Sequence, residues 1–223
     1  MKNSISAVIP AKNAAPYILE TINAIKRQNH DIFEIVVIDD DSTDNTGEIA
    51  RNAGCKVERI NESSLSKARN ACLKASTGSI IFFNDADDYI EDNALSVLYN
   101  ELINNDLHAV FSMAKDFVSP ELTEEEKKQL NPRQEPYFGL IAGCSLIRRE
   151  VFDTTGLFDE TLKSGEIVAW QLKLQNSGLK IKKIPVVTTN RRLHKTNFGR
   201  LNKAQEYKDY AAILRQKMQQ GIK

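Results

Sequence analysis

The chain has 223 residues, enough for one α/β domain with a full hydrophobic core. Its 41% hydrophobic and 27% charged residues are ordinary for a soluble domain, and 30 basic residues balance 30 acidic ones. That neutrality excludes a global basic field for nucleic acid or anionic membrane, and no stretch reaches the roughly 18 apolar residues of a membrane span.

Residues 4–9 form a short apolar run closed by Pro10, which predicts a buried strand ending in a loop. Pro16 marks a helix start, and Tyr17, Ile18, Thr21, Ile22 and Ile25 follow at helical spacing. Residues 34–38 are a second apolar strand, ending in Asp39-Asp40-Asp41-Ser42-Thr43-Asp44, where Thr43 or Asp44 is placed to cap the next helix. A weaker strand at 56–60, a helix at 66–75 closed by Gly78, and a strand at 79–83 come next. The last of these again ends in acid, at Asn84-Asp85-Ala86-Asp87-Asp88. Asp92 or Asn93 opens a helix carrying Leu95, Leu98, Leu102 and Ile103, and 109–113 is another strand. The charged, proline-containing stretch 119–136 reads as a surface insertion with one short helix. Apolar character returns at 139–147. Short helices are predicted at 148–152 and 165–176, the second closed by Gly178, then a strand at 180–187 and a terminal helix at 202–219 with Tyr207, Ala211, Leu214 and Met218 on one face.

Alternating strands and helices with continuously hydrophobic strands predict an α/β fold: a mostly parallel central sheet with helices on both faces. In such sheets ligands bind at the carboxyl edge, so the two acidic strand ends should face one crevice. Asp85 and Asp87 offer hard oxygen ligands for Mg²⁺ or Mn²⁺, although a lone Asp-x-Asp is also common in solvated turns. The 39–41 acids suit a base or ribose contact, or a helix N-terminus. Lys67, Arg69 and Asn70 offer phosphate or sugar contacts, or a plain solvated helix face. The cysteines Cys55, Cys72 and Cys144 are far apart with no metal spacing, so they are expected to be free thiols. The N-terminus does not have the pattern of a signal peptide, and a cytoplasmic location is the expectation.

Five segments in order carry a resemblance. They are Ala7-Val8-Ile9-Pro10-Ala11-Lys12-Asn13, Ile35 to Asp44, Lys67-Ala68-Arg69-Asn70 with Gly78, Asn84 to Asp88, and Gly156-Leu157-Phe158-Asp159-Glu160. Together they resemble the family 2 glycosyltransferases over about residues 4–195. The resemblance implies a GT-A (Rossmann-like) three-layer sandwich as one domain. Residues 1–115 would form its nucleotide-sugar-binding half and 137–200 its acceptor-binding half, with 202–220 a terminal helix. By the same resemblance Asp40 would contact the base, Pro10, Ala11 and Asn13 would line the nucleoside pocket, and Lys67, Arg69 and Asn70 would lie near the donor. Asp87, assisted by Asp85, would hold Mn²⁺ or Mg²⁺, and His194, among Arg191, Arg192 and Lys195, would close over the diphosphate.

One segment departs from the family pattern. Where relatives carry a Gly-Glu-Asp-x-Asp-Trp-like run, this chain reads Gly165-Glu166-Ile167-Val168-Ala169-Trp170. Ile167 cannot accept a proton, which leaves Glu166 as a substitute base, about 100° round the helix from the usual position. The implied function is transfer of a sugar from a nucleotide sugar, first a UDP-sugar, to a glycan, lipid-linked or protein acceptor, with inversion, in cell-surface glycan synthesis. A lipid-linked acceptor would bring the protein to the inner face of the membrane. The alternatives are a donor-binding homologue without turnover, and a nucleotidyltransferase. The glycine-free stretch Ala11-Lys12-Asn13-Ala14-Ala15 argues against the latter.

Overall fold

The computed structural model describes residues 3–138, 142–197, 207–211, 213 and 215. Its first half alternates strand and helix: β1 (Ile5–Ala11), α1 (Ile18–Lys26), β2 (Glu34–Asp40), α2 (Thr46–Asn52), β3 (Lys56–Ile60), α3 (Leu65–Ala75) and β4 (Ile80–Phe83). The remainder adds β5 (Tyr89–Ile90), α4 (Ala94–Asn104), β6 (Ala109–Val118), α5 (Glu124–Lys128), β7 (Ser145–Arg148), α6 (Val151–Thr155), α7 (Glu166–Gln175) and β8 (Ile181–Leu193). One eight-stranded sheet runs in the order β3-β2-β1-β4-β7-β6-β8-β5.

β1 pairs in parallel with β2 and β4, and β2 with β3. β7 then runs antiparallel to both β4 and β6, which restores β6 to the direction of β4, and β8 pairs in parallel with β6. The C-terminal ends of β1, β2, β4 and β8 therefore share one edge.

Strand β4 shows why the apolar runs are continuous. Ile80 and Phe82 enter a core with Ile18 and Ile22 of α1 and Leu95 and Leu98 of α4. Ile81 and Phe83 enter a second core on the opposite face, with Cys72 of α3, Phe152 of α6 and Trp170 of α7. A strand covered on both faces has no polar positions to alternate, and each large side chain so buried contributes about 1.5–3 kcal/mol. Trp170 is core material: its ring stacks on Phe152 at 5.2 Å between centroids, and its Nε1 donates to Thr155 Oγ1 at 2.9 Å.

Several boundaries differ from the sequence reading. β6 continues to Val118 and β8 to Leu193, because the two strands pair along their whole length past a register irregularity near Met113. The helix expected at 148–152 lies at Val151–Thr155, and Arg148 ends β7. Gly78 does not close α3. A Cβ there would meet Ser6 Oγ at 2.4 Å and the Ser4 carbonyl at 2.8 Å, so its role is close backbone approach to β1. The insertion does carry one short helix, α5, opened by a capping box between Thr123 and Glu126. Residues 207–211, 213 and 215 are helical as expected, whereas Leu214, Met218 and 139–141 lie outside the described residues.

Candidate active site

At the shared carboxyl edge lies a cavity of about 560 Å³, lined by the β1–α1 loop, the turn after β4 and the segment after β8. The two loops that follow β1 and β2 are stitched together. Asn13 Oδ1 accepts the Thr43 N–H at 2.8 Å, Ser42 Oγ accepts the Asn13 N–H at 2.9 Å, and Thr46 Oγ1 accepts the Ala14 N–H at 2.8 Å. Asp44 accepts the Thr46 N–H at 3.0 Å, so it serves the start of α2 from just outside the helix. Asn13 and Asp41 both sit at positive φ, a conformation held by this network.

Of the three acids after β2, only Asp40 lines the cavity. Its carboxylate accepts the backbone N–H groups of Glu62, Ser63 and Ser64 at 2.8–3.0 Å and so shapes the loop into α3. Asp39 is buried, accepts the Ser42 N–H at 3.1 Å and packs against Gly47, where a Cβ would come within 2.5 Å of its carboxylate. Asp41 pairs on the outside with Arg59 at 3.4 Å. Lys12, not singled out from the sequence, lines the cavity and reaches Ser63 Oγ at 2.6 Å.

Asp85, Asp87 and Asp88 come together in the turn after β4, all lining the cavity. Asp87 Oδ2 faces His194 Nε2 at 2.8 Å and accepts from Asn197 Nδ2 at 3.2 Å, while about a quarter of its side chain stays open. Loss of surrounding water, with Asp87 adding, holds the Asp85 carboxyl above the usual range against the opposing pull of Arg69 and Arg191. The same causes push Asp88 well above it. Asp88 Oδ1 accepts the Arg192 N–H at 2.8 Å.

The described residues hold no group of three His, Cys, Asp or Glu side chains arranged as a complete metal cage. One or two carboxylates at a cavity suit a hard cation that takes its remaining ligands from a bound diphosphate and water, so Asp87 and Asp85 fit Mg²⁺ or Mn²⁺ in that shared role.

The remaining candidates separate. Arg69 is buried and forms an ion pair with Glu166 and another with Asp85 at 3.2 Å. Glu166, at the start of α7, is equally buried and is not among the cavity-lining residues. Asn70 is turned away from the cavity: its amide donates to the Phe158 carbonyl at 2.9 Å and to Glu160 at 2.8 Å, and accepts the Phe158 N–H. Lys67 is outside as well, paired with Glu62. Arg191 lines the cavity and lies 3.8 Å from Asp116. Arg192 is buried, and its Nε donates to the Asp87 carbonyl at 2.9 Å, bracing the acidic turn. Ile167 packs against the core that contains Trp170.

Besides Lys12, three residues of the site escaped the sequence reading. Asp88 looked like the tail of an acidic turn and Tyr17 like one more apolar helix position. Asn197, three residues after His194, has no local signal beyond that spacing.

One sheet flanked by helices, with acids and a histidine at its carboxyl edge, is a GT-A-like architecture. The model of the family described as "Glycosyl transferase family 2" matches residues 6–156, and the chain belongs to this family. It is 32% identical over 182 residues to the glycosyltransferase EpsJ of Bacillus subtilis, covering 73% of this chain and 53% of EpsJ. It is 38% identical over 98 residues to the poly(ribitol-phosphate) beta-N-acetylglucosaminyltransferase TarS of Staphylococcus aureus, covering 40% of this chain and 17% of TarS. The crystal structure of S. aureus TarS 1–349 in complex with UDP superposes with a TM-score of 0.70 at 25% identity, covering 85% of this chain and 60% of that one. The chain thus spans about half the length of EpsJ. No helix among the described residues is long and apolar enough to cross a membrane.

Proposed function

We propose that the domain binds a nucleotide sugar across the carboxyl edge and transfers its sugar, with inversion, to an acceptor hydroxyl. The observation that carries this reading is the meeting of Asp87, His194 and Asn197 at one cavity, from two strands far apart in sequence. The nucleoside would lie over Pro10, Ala11 and Asn13, with the Asp40-shaped loop at its edge. UDP is the first nucleotide to expect, since the TarS structure holds it. Mg²⁺ or Mn²⁺ at Asp87 and Asp85 would supply Lewis-acid charge to the departing diphosphate. His194 and Arg191 place donors and positive charge on the same side. The acceptor oxygen attacks the anomeric carbon as the bond to the phosphate oxygen breaks, and the acceptor proton must leave. Glu166 is poorly placed to take it, because its carboxylate faces Arg69 rather than the cavity. The pairing supports Glu166 as the counter-ion that fixes Arg69, and through it Asp85.

That same arrangement favours a second reading, a domain that binds the donor with little turnover. Release of UDP from a panel of UDP-sugars with Mn²⁺ and candidate glycan, lipid-linked and protein acceptors separates the two. Acceptor-dependent release, lost in Asp87→Ala, supports transfer. Metal-dependent binding without release supports the second reading, and neither binding nor release contradicts both. Glycan synthesis on a lipid-linked acceptor at the inner membrane face fits the family resemblance and is tested by the same acceptor panel.

A further inference from the structure

The insertion at 119–136 is pinned to the far side of the cavity wall. Tyr17, at the entrance to α1, packs its ring against the His194 imidazole with centroids 4.7 Å apart. Its hydroxyl donates to Glu121 Oε1 at 2.9 Å, and Ser119 Oγ donates to both oxygens of the same carboxylate at 2.7 Å. Ser119 is fully buried. Its N–H donates to the Leu193 carbonyl at 3.0 Å, and its hydroxyl accepts from Arg192 at 3.2 Å. The Arg192 guanidinium lies 4.9 Å from the Tyr17 ring centre. One helix further, Glu126 of α5 pairs with Lys195, the residue next to His194. The insertion therefore grips the segment Arg192, Leu193, His194 and Lys195 from outside, and Tyr17 transmits that grip to the imidazole.

We propose that Tyr17 is a positioning residue for His194 and that the insertion, through Glu121 and Glu126, is a brace that presents His194 to Asp87. The proposal rests on the donor-site reading above. A ring against one face of the imidazole restricts its swing, and the hydrogen bond from Tyr17 to Glu121 fixes that ring in turn. Burial and the Glu121 carboxylate push the Tyr17 hydroxyl up to about 12, so it remains a donor throughout the physiological range. Beyond the Asp87 contact at Nε2, His194 is held by local bonds, Nδ1 to Thr196 Oγ1 at 3.0 Å and its backbone N–H to Asn197 Oδ1 at 2.7 Å. Those fix the turn but leave the imidazole face unsupported, which is the part Tyr17 covers.

The test is a double-mutant cycle read by UDP affinity in the presence of Mn²⁺, using calorimetry on wild type, Tyr17→Leu, His194→Ala and the double variant. A residue acting through His194 must lose its effect when His194 is gone. Tyr17→Leu is expected to weaken UDP about tenfold in wild type and less than about twofold in His194→Ala. Tyr17→Phe, which keeps the ring and loses the Glu121 bond, should fall in between. An equal loss in both backgrounds would overturn the proposal and make Tyr17 a direct contact or a fold residue. A second arm needs no ligand: amide hydrogen exchange at 192–197 in the free protein. Tyr17→Leu and Glu121→Gln should speed it about tenfold there while leaving β1 and β4 unchanged. If wild type binds no UDP, the donor-site reading fails and this arm still judges the brace. Unchanged exchange at 192–197 overturns it.

Discussion

The two halves of the sheet solve different problems. From β3 to β4 the strands are parallel and each delivers its C-terminal residues to the same edge, so that side of the cavity is assembled by topology alone. Beyond β4 the sheet reverses at β7 and returns in β6 and β8, whose paired C-terminal ends reach that edge, with the segment after β8 lining the cavity. The polar groups contributed from there are largely committed to partners: Glu166 to Arg69 of α3, Glu160 to Asn70 of α3 and Arg192 to the acidic turn. The lesson is that the carboxylates lining the cavity come from strand ends on the parallel side, whereas Glu166, the acid at the start of α7, is buried against Arg69.

The largest expected effect comes from breaking that commitment. Arg69→Met leaves Glu166 as an unpaired buried charge, and the loss should be about 3–5 kcal/mol in denaturant unfolding. Glu166→Gln should cost much less, since a neutral amide can still accept from Arg69. If the two variants cost the same, Glu166 is not simply the partner of Arg69.

Ile167→Asp sharpens the comparison by restoring an acid where the family pattern has one. If the proposed transfer site lacks only its base, transfer should rise by about 10²–10⁴, against some loss of packing on the Trp170 core. Turnover that stays flat while UDP binding is retained would favour the binding-only reading.

The smallest effect tests the acidic turn after β4. The folded protein holds the Asp88 proton more tightly than the unfolded chain does, because burial and then Asp87 and Asp85 disfavour its charge. Stability therefore falls as pH rises from the ordinary carboxylate range through the raised one. Asp88→Asn removes that loss and keeps an acceptor for the Arg192 N–H. The free variant should melt a few degrees higher than wild type near pH 7, with the gap closing towards pH 4. A gap that widens towards acid would contradict the assignment.

Most of the parallel half was legible because continuous apolar strands and the acids that end them are local signals. The Ile80–Phe83 strand and the acidic turn after it could be placed from residue order, and two-sided burial explains why they read so plainly. Side-chain direction was not legible. Asn70 and Lys67 lie on the expected helix, but helical rotation turns one to the Phe158 loop and the other to solvent-side Glu62. The course of β8 through Arg191 and Arg192 was hidden because the apolar run that marks the strand stops at Val187. Their burial depends on Asp88, Asp116 and Glu20, which are distant in sequence. The contact of Tyr17 with His194 spans most of the chain and leaves no local pattern.

The central claim is a metal-dependent nucleotide site built on Asp87, and thermal melting tests it most directly. UDP, GDP and dTDP are each added with and without Mn²⁺ to wild type and Asp87→Ala. A ligand that binds only the folded protein raises its melting temperature, by about 2.7 kcal/mol of stability at one hundred times its Kd. Stabilisation by one nucleotide, UDP first, that requires Mn²⁺ and disappears in Asp87→Ala is the predicted result. No stabilisation by any of the three, or equal stabilisation in Asp87→Ala, would contradict the account.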